Sequence, residues 1–245
     1  MSLFTQFAAY VEQDKAAALA TVIRGPKDLL GLKALFTDEA APVGSLLDTP
    51  WQQSIIADAT DLLQQRRSGT RQYEAPEPVE VFFDVHRPAP RLIIVGGVHI
   101  AVDLIRFAQP LGFATYVVDP RTAFASAERF PHADYLINQW PDDALPDLNP
   151  DGDTAVVVVT HDPKLDDPAL KIALPSRAFY VGALGSPKTH RKRVDRLLGE
   201  GMTPEYLARL HAPIGLNIGG RSPAEIALSI MAQIVAVRNG QGESV

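Results

Sequence analysis

Most of the residue types able to bind or react with a small ligand stand in three short segments, each following an apolar run. Gly96-Gly97-Val98-His99 follows residues 92–95, Thr160-His161-Asp162 follows 155–159, and Gly182-Ala183-Leu184-Gly185-Ser186 follows 179–181. Glycines let the backbone turn sharply, and a helix beginning behind such a turn offers unpaired N–H groups to an anion. A hydroxyl, an imidazole and a carboxylate ending one apolar strand require partners, so Thr160, His161 and Asp162 carry more weight together than singly. Taken alone, His99 is an exposed helix histidine and Asp162 a helix cap. The first turn fits the dinucleotide fingerprint G-x-G-x-x-G badly. Val98 fills the second glycine position, where its side chain obstructs a pyrophosphate, and Ala101 fills the third. Asp119, at the end of 114–118, stands where a dinucleotide fold keeps its ribose carboxylate; a helix N-cap or a pair with Arg121 explains it equally well.

Two further segments bear on binding. The helix that Ser186 and Pro187 begin is basic, with Lys188, Arg191, Lys192, Arg193 and Arg196 on an otherwise acidic chain; it suits a phosphate or an acidic surface, or is a solvated face. Residues 211–221 form a glycine-rich apolar loop with Gly215 and Gly219, which local structure does not require and which is expected to line a ligand or subunit interface. Ser222 and Glu225 spell a capping box for the terminal helix, whose buried stripe is Ile226, Ile230, Ile234 and Val237. Asp142, Asp143, Asp147, Asp151 and Asp153 lie among prolines and glycine and are expected to form a solvated loop.

The elements that must position these groups follow from hydrophobic period. Beyond Arg87, short β-branched runs at 92–95, 114–118, 135–137, 155–159 and 179–181 alternate with helical segments, the pattern of a parallel sheet covered on both faces. The fold class expected is α/β: a C-terminal Rossmann-like doubly wound parallel sheet, strand order 3-2-1-4-5, with a small mixed N-terminal domain. Its ligand crevice opens at the switch point between the first and fourth strands. The helix after Gly97 is expected to turn Ile100, Leu104, Phe107 and Ala108 inward. Before the boundary, 2–13 and 51–65 read as helices and 32–36, 42–46 and 79–85 as strands, while 17–23 ends in a β-branched run that stops at Gly25-Pro26; the proline-rich Ala75-Pro76-Glu77-Pro78 and Pro88-Ala89-Pro90 mark the passage. The expected domains are 1–87 and 88–245.

Composition narrows the function. A net charge of -6 with 21% charged residues gives no general basic surface for nucleic acid or anionic membrane. No apolar run is long enough to span a bilayer and the N-terminus lacks a basic signal region, so the expected location is cytoplasmic. The chain has no cysteine, which excludes disulfides, thiolate metal sites and a protein-borne persulfide.

In order along the chain, Gly96-Gly97-Val98-His99-Ile100-Ala101, Asp119-Pro120-Arg121, Glu128-Arg129-Phe130-Pro131, Thr160-His161-Asp162, Gly182-Ala183-Leu184-Gly185-Ser186 and Pro213-Ile214-Gly215-Leu216-Asn217-Ile218-Gly219 resemble the XdhC/CoxI family. The resemblance covers nearly all of 91–238 and implies an accessory protein for molybdenum hydroxylases of the xanthine dehydrogenase or carbon monoxide dehydrogenase type. Such a protein binds molybdenum cofactor, supports its sulfuration by a cysteine desulfurase and delivers it to the apo-enzyme. It is a chaperone without catalytic or metal-ligating residues of its own. The implied cofactor-binding residues are Gly96, Gly97, Val98, His99, Asp119, Arg121, Thr160, His161, Asp162, Gly182, Gly185, Ser186, Arg191, Gly215 and Gly219. Residues 18–46 are similar to a reduced version of the family's N-terminal domain. Many members carry a cysteine after the equivalent of Gly44-Ser45; this chain continues Leu46-Leu47-Asp48, so the sulfur must come from a partner.

Other readings stay open on the residues alone. One is an NAD(P)-dependent oxidoreductase with Asp119 on the ribose and His161 as acid and base. A second is a metal or nucleotide sensor using His99, His161 and Asp162, and a third is a purely structural partner. A homodimer is the expected assembly.

Overall fold

The computed structural model describes residues 1–74 and 76–241; Ala75, within the proline-rich passage, and the last four residues lie outside the described residues. The chain divides into two compact units, Met1–Pro88 and Ala89–Val245.

The first unit contains helix α1 (Leu3–Glu12), strands β1 (Ala17–Arg24) and β2 (Lys33–Thr37), helix α2 (Gln52–Gln65) and strands β3 (Gly69–Tyr73) and β4 (Val79–His86). The strands form an antiparallel sheet in the order β2-β1-β4-β3. Ala17 to Ala20 are all buried because β1 is covered twice. Ala17 and Leu19 pack with Phe7 of α1, whereas Ala18 and Ala20 pack with Ile55, Ala59 and Leu62 of α2. This explains an unbroken apolar run in an antiparallel strand.

The strand expected at 42–46 does not form. Val43 makes one antiparallel bridge to Leu35, and then Gly44, at φ +137°, turns the chain into a 3-10 helix, Ser45–Asp48, that buries Leu46 in the core. A Cβ at Gly44 would run into the Lys33 carbonyl, so only glycine allows the turn. Strand β3 has no apolar period, which is why its sequence does not announce it. Among its residues only Tyr73 is buried, and its register against β4 (Thr70 opposite Phe82, Tyr73 opposite Val79) supplies the pairing.

The second unit runs β5 (Arg91–Val95), α3 (His99–Ala108), β6 (Ala114–Val118), β7 (Tyr135–Ile137), α4 (Pro141–Leu148), β8 (Thr154–Val158), α5 (Pro163–Ala173), β9 (Tyr180–Ala183), α6 (Pro187–Gly199), α7 (Pro204–Leu207), β10 (Leu210–His211) and α8 (Pro223–Arg238). All six strands are parallel, in the order β10-β9-β8-β5-β6-β7. This is the expected doubly wound sheet extended by one short edge strand. Alternate residues of β5 serve opposite faces. Leu92 and Ile94 join the core under α3 and α8, whereas Ile93 and Val95 join the one under α4, α5 and α6. Beyond their first residues, Arg91 and Thr154, the central strands β5 and β8 are therefore apolar.

Two expectations are corrected. The inward stripe of α3 is Ala101, Leu104, Ile105 and Ala108, with Ile100 and Phe107 half-buried, because the tight packing of α3 against α8 seats alanine at both ends of the contact. Asp142, Asp143 and Asp147 lie on helix α4 rather than in a loop, with the first two at its N-terminus, where acidic groups favour the dipole. Asp151 does more than attract water, since it pairs with Arg91 at 3.1 Å and accepts the Thr154 hydroxyl at 2.7 Å.

The two isoleucines of α3 offer a matched comparison. Ile105→Ala is expected to cost about 3 kcal/mol, the usual result for a fully buried aliphatic side chain, and Ile100→Ala clearly less. Urea denaturation of both variants measures the difference.

Candidate functional site

The switch point lies where β5 and β8 end side by side. Gly96 leaves β5 at φ +116°, and a Cβ there would stand 2.6 Å from Thr160 Cγ2; one on Gly97 would stand 2.5 Å from the Phe124 carbonyl oxygen. Both glycines are needed because neighbouring loops close onto the turn. Val98 is the N-cap of α3 without a side-chain capping bond, and His99 is exposed in the first turn.

Asp119 is completely buried beside this turn and accepts four hydrogen bonds. The Gly97 amide donates to Oδ2 at 2.9 Å and the Arg121 amide to Oδ1 at 3.0 Å; Arg121 adds Nε to Oδ1 at 2.8 Å and Nη2 to Oδ2 at 2.7 Å. These bonds fill the acceptor capacity of a carboxylate. Of the three roles open to Asp119, the structure shows the pair with Arg121. Burial by itself raises the pKa of this carboxyl, but the bonds from Arg121 and the Gly97 amide outweigh it and hold the group below its ordinary value. The Arg121 guanidinium also lies 4.0 Å from the centre of the Phe124 ring, a cation–π contact.

Thr160, His161 and Asp162 come off β8 together and then part. The Thr160 hydroxyl turns inward, donating to Asp166 Oδ1 at 2.5 Å and accepting the Asp162 amide at 2.9 Å. Asp162 caps α5 by accepting the Lys164 amide at 3.0 Å, as its single-residue reading holds. His161, at φ +64°, stays exposed.

Sequence reasoning missed the buried charges behind them. Asp166 pairs with Arg193 at 3.1 Å, both almost fully buried, and the next acidic residue, Asp167, takes Arg196 in a two-pronged bond at 2.5 and 2.9 Å. Burial pushes the Asp166 carboxyl up, and Thr160 and Arg193 offset only part of that. The pairs join residues 27 and 29 positions apart, and the spacing within either helix does not name the partner. Two of the five cations of α6 are thus engaged, leaving Lys188, Arg191 and Lys192 exposed without a partner among the described residues.

The third turn follows β9. Gly182 is inside the fold rather than facing a ligand, since a Cβ there would stand 2.7 Å from Ile214 and from the Tyr180 hydroxyl. Gly185 lies at φ +155°, and Ser186 caps α6 by accepting the Thr189 amide at 3.2 Å. The loop beyond β10 is held down by Gln233. Its Oε1 accepts the Gly215 amide at 2.8 Å and the Tyr180 hydroxyl at 2.7 Å, and Tyr180 in turn stacks on His211. Burial drives the Tyr180 phenol upward and the His211 imidazole downward, so both are neutral at pH 7. Gly219, at φ +75°, belongs to the exposed stretch of the loop. The loop and the start of α8 enclose a cleft of about 810 Å³ lined by Leu184, Ile214, Leu216, Ile218, Ile226 and Gln233, among others. Leu184 joins the cleft wall to the α6 turn.

The strand ends therefore offer fixed cations, free turn amides and an apolar cleft with a few polar groups, a combination suited to holding an anionic, partly apolar small molecule. Among the described residues no set of three His, Asp or Glu side chains is placed to hold a metal ion, and no helix is long and apolar enough to cross a membrane.

The XdhC Rossmann domain matches residues 92–234. The chain is 31% identical over 206 positions (84% of its length and 54% of the relative's) to the molybdenum cofactor insertion chaperone PaoD of Escherichia coli. It is 30% identical over 204 positions (83% and 57%) to a probable xanthine dehydrogenase subunit of Bacillus subtilis, and 28% over 256 positions (98% and 47%) to the protein YqeB of Escherichia coli. It thus spans about half the length of these relatives. A solved Bacillus halodurans structure, described as a xanthine dehydrogenase, shares the fold with a TM-score of 0.57 at 21% identity, covering 98% of this chain and 97% of that one.

Asp119 gives a pH test. Its folded pKa lies below the ordinary 3.8, so the stability it adds is complete above pH 3.8 and is lost as pH falls through the lowered folded value. Urea denaturation of wild type and Asp119→Asn is expected to show a gap that is constant from neutral pH to above 3.8 and narrows below it. A gap unchanged at lower pH would contradict the bonded, ionised Asp119.

Proposed function

The chain belongs to the XdhC family, and on that premise we propose that it is an accessory protein in the maturation of a molybdenum hydroxylase, holding molybdenum cofactor as cargo for its sulfuration or insertion. The observation that carries this reading is the 31% identity, over 84% of the chain, to a protein named as a molybdenum cofactor insertion chaperone. The site supports it chemically. Molybdenum cofactor is a pterin with a phosphate and a metal end, needing cations and amides at one point and a broad face with few polar groups at another. The strand ends carry the first in the Gly185-Ser186 turn amides and Arg191, with His99 and His161 exposed beside them, and the second in the cleft beside Gly215 and Gly219. Gly96, Gly97, Val98, Thr160 and Asp162 shape the turns between them, and Asp119 with Arg121 fixes the Gly97 turn from behind.

The chain has no cysteine, so a cysteine desulfurase partner supplies any sulfur while this protein holds the cofactor. The recipient is an apo-hydroxylase of the xanthine dehydrogenase or carbon monoxide dehydrogenase class, the setting is the cytoplasm, and the working assembly is a homodimer. NAD(P) is the weaker ligand candidate. Asp119 has no acceptor left for a ribose hydroxyl, and the Phe124 backbone covers the Gly97 turn.

Protein purified from a host that makes molybdenum cofactor is expected to carry a molybdopterin species, identified by mass spectrometry. The exposed-residue variant His99→Ala/His161→Asn/Arg191→Ala, which keeps a residue tolerant of positive φ at position 161, is expected to retain about tenfold less, as loss of one or two charge-assisted contacts implies. Wild-type protein recovered with NAD(P), or with no pterin, overturns the reading.

A further inference from the structure

The two arginine–aspartate pairs between α5 and α6 are used differently. Arg196 lays Nε and Nη2 on the two oxygens of Asp167. Arg193, 1% exposed, engages only Nη2, which donates to Asp166 Oδ2 at 3.1 Å and to the Leu184 carbonyl at 2.9 Å. Its Nε and Nη1 are buried and have no partner among the described residues, and neither has Nδ1 of His190 on the same helix. A buried guanidinium with two open donors is unfavourable unless something accepts from them.

One of the open donors lies beside the α6 turn. Nη1 stands 3.6 Å from where a Cβ on Gly185 would be, with Thr189 Cγ2 and Cβ at 3.1 and 3.2 Å from the same point, so the missing side chain at Gly185 leaves the guanidinium next to the turn. On that turn the Gly185 and Ser186 amides make no hydrogen bond among the described residues, and Lys188, Arg191 and Lys192 follow it, exposed. Asp166 offsets the single charge of Arg193. The attraction for an anion thus rests on the open donors, the amides and the three free cations. A phosphate monoester matches this set, having three acceptor oxygens and a charge that a planar guanidinium can bridge.

We propose that Arg193 and the Gly185-Ser186 turn form an oxyanion subsite that takes a phosphate monoester group. The assignment to the cofactor's own phosphate rests on the function proposed above; binding of inorganic phosphate does not.

The full-length chain is tested by thermal unfolding in phosphate against chloride at equal ionic strength, with calorimetric titration of inorganic phosphate. Phosphate is expected to raise Tm where chloride does not. The response should vanish in Asp166→Asn/Arg193→Met, which removes both buried charges together, and persist in the matched control Asp167→Asn/Arg196→Met. Gly185→Ala, on a half-exposed turn, provides a second route: its methyl fills the space before Nη1 and is expected to weaken phosphate about tenfold. No phosphate-specific response in wild type, or an undiminished response in both Gly185→Ala and Asp166→Asn/Arg193→Met, overturns the subsite. Phosphate binding without recovered pterin upholds it and overturns only the cofactor reading; pterin recovery without a phosphate response does the reverse.

Discussion

The buried pair of Asp166 and Arg193 ties together the ends of the central strands. Placing two charges out of water costs several kcal/mol per ion, and removing one partner of such a pair typically costs about 3–5 kcal/mol. What offsets the cost here is a set of bonds reaching four elements. Thr160, at the end of β8, donates to Asp166 on α5; Arg193 on α6 donates to Asp166 and to the Leu184 carbonyl after β9. Thr160 also packs on Gly96, at the end of β5. One ion pair thus fixes the relative positions of three strand ends at the switch point.

A second network does the same on the other side of β5. Asp119 after β6 gathers the Gly97 amide and Arg121, and Phe124 lies under the Arg121 guanidinium and over Gly97. Where a dinucleotide fold leaves this position open to a ribose, the chain fills it with its own arginine. The consequence is chemical rather than architectural. The fold is that of a nucleotide-binding domain, but the acceptor that recognises the nucleotide is already satisfied, so fold likeness alone does not transfer function.

These networks also separate rigid parts of the site from those free to meet a ligand. Asp119, Thr160, Asp166 and Gly182 are held inside by bonds or close packing, whereas His99, His161, Lys188 and Arg191 stand exposed around the strand ends. The loop carrying Gly215 is tied at its start through Gln233 and Ser229 and at its end by the Arg221 amide on Glu225, and Leu216 and Ile218 between them are exposed on the cleft. Fixed walls with an exposed apolar loop suit the cargo-holding role proposed above.

How much of this was legible follows from the range of the forces involved. Local period and capping chemistry sufficed for the parallel strands, for α3 and α8 and for the switch point, because continuous apolar runs and the Ser222–Glu225 box are properties of neighbouring residues. Locality also explains the failures. The run at 42–46 has the composition of a strand but is broken by Gly44, and β3 is a strand only because β4 offers it partners. The role of Asp119 was undetermined among three local possibilities until Arg121 and the Gly97 amide were seen to share it. The pairing of Asp166 with Arg193 joins residues 27 apart in sequence, and nothing in either segment distinguishes a buried arginine from the exposed ones beside it. The sequence by itself determined the parallel sheet, its covered faces and the position of its switch point. Tertiary structure alone decided which polar groups are spent holding the strand ends together and which are left for a ligand, because burial and hydrogen-bond saturation depend on neighbours that only the fold supplies.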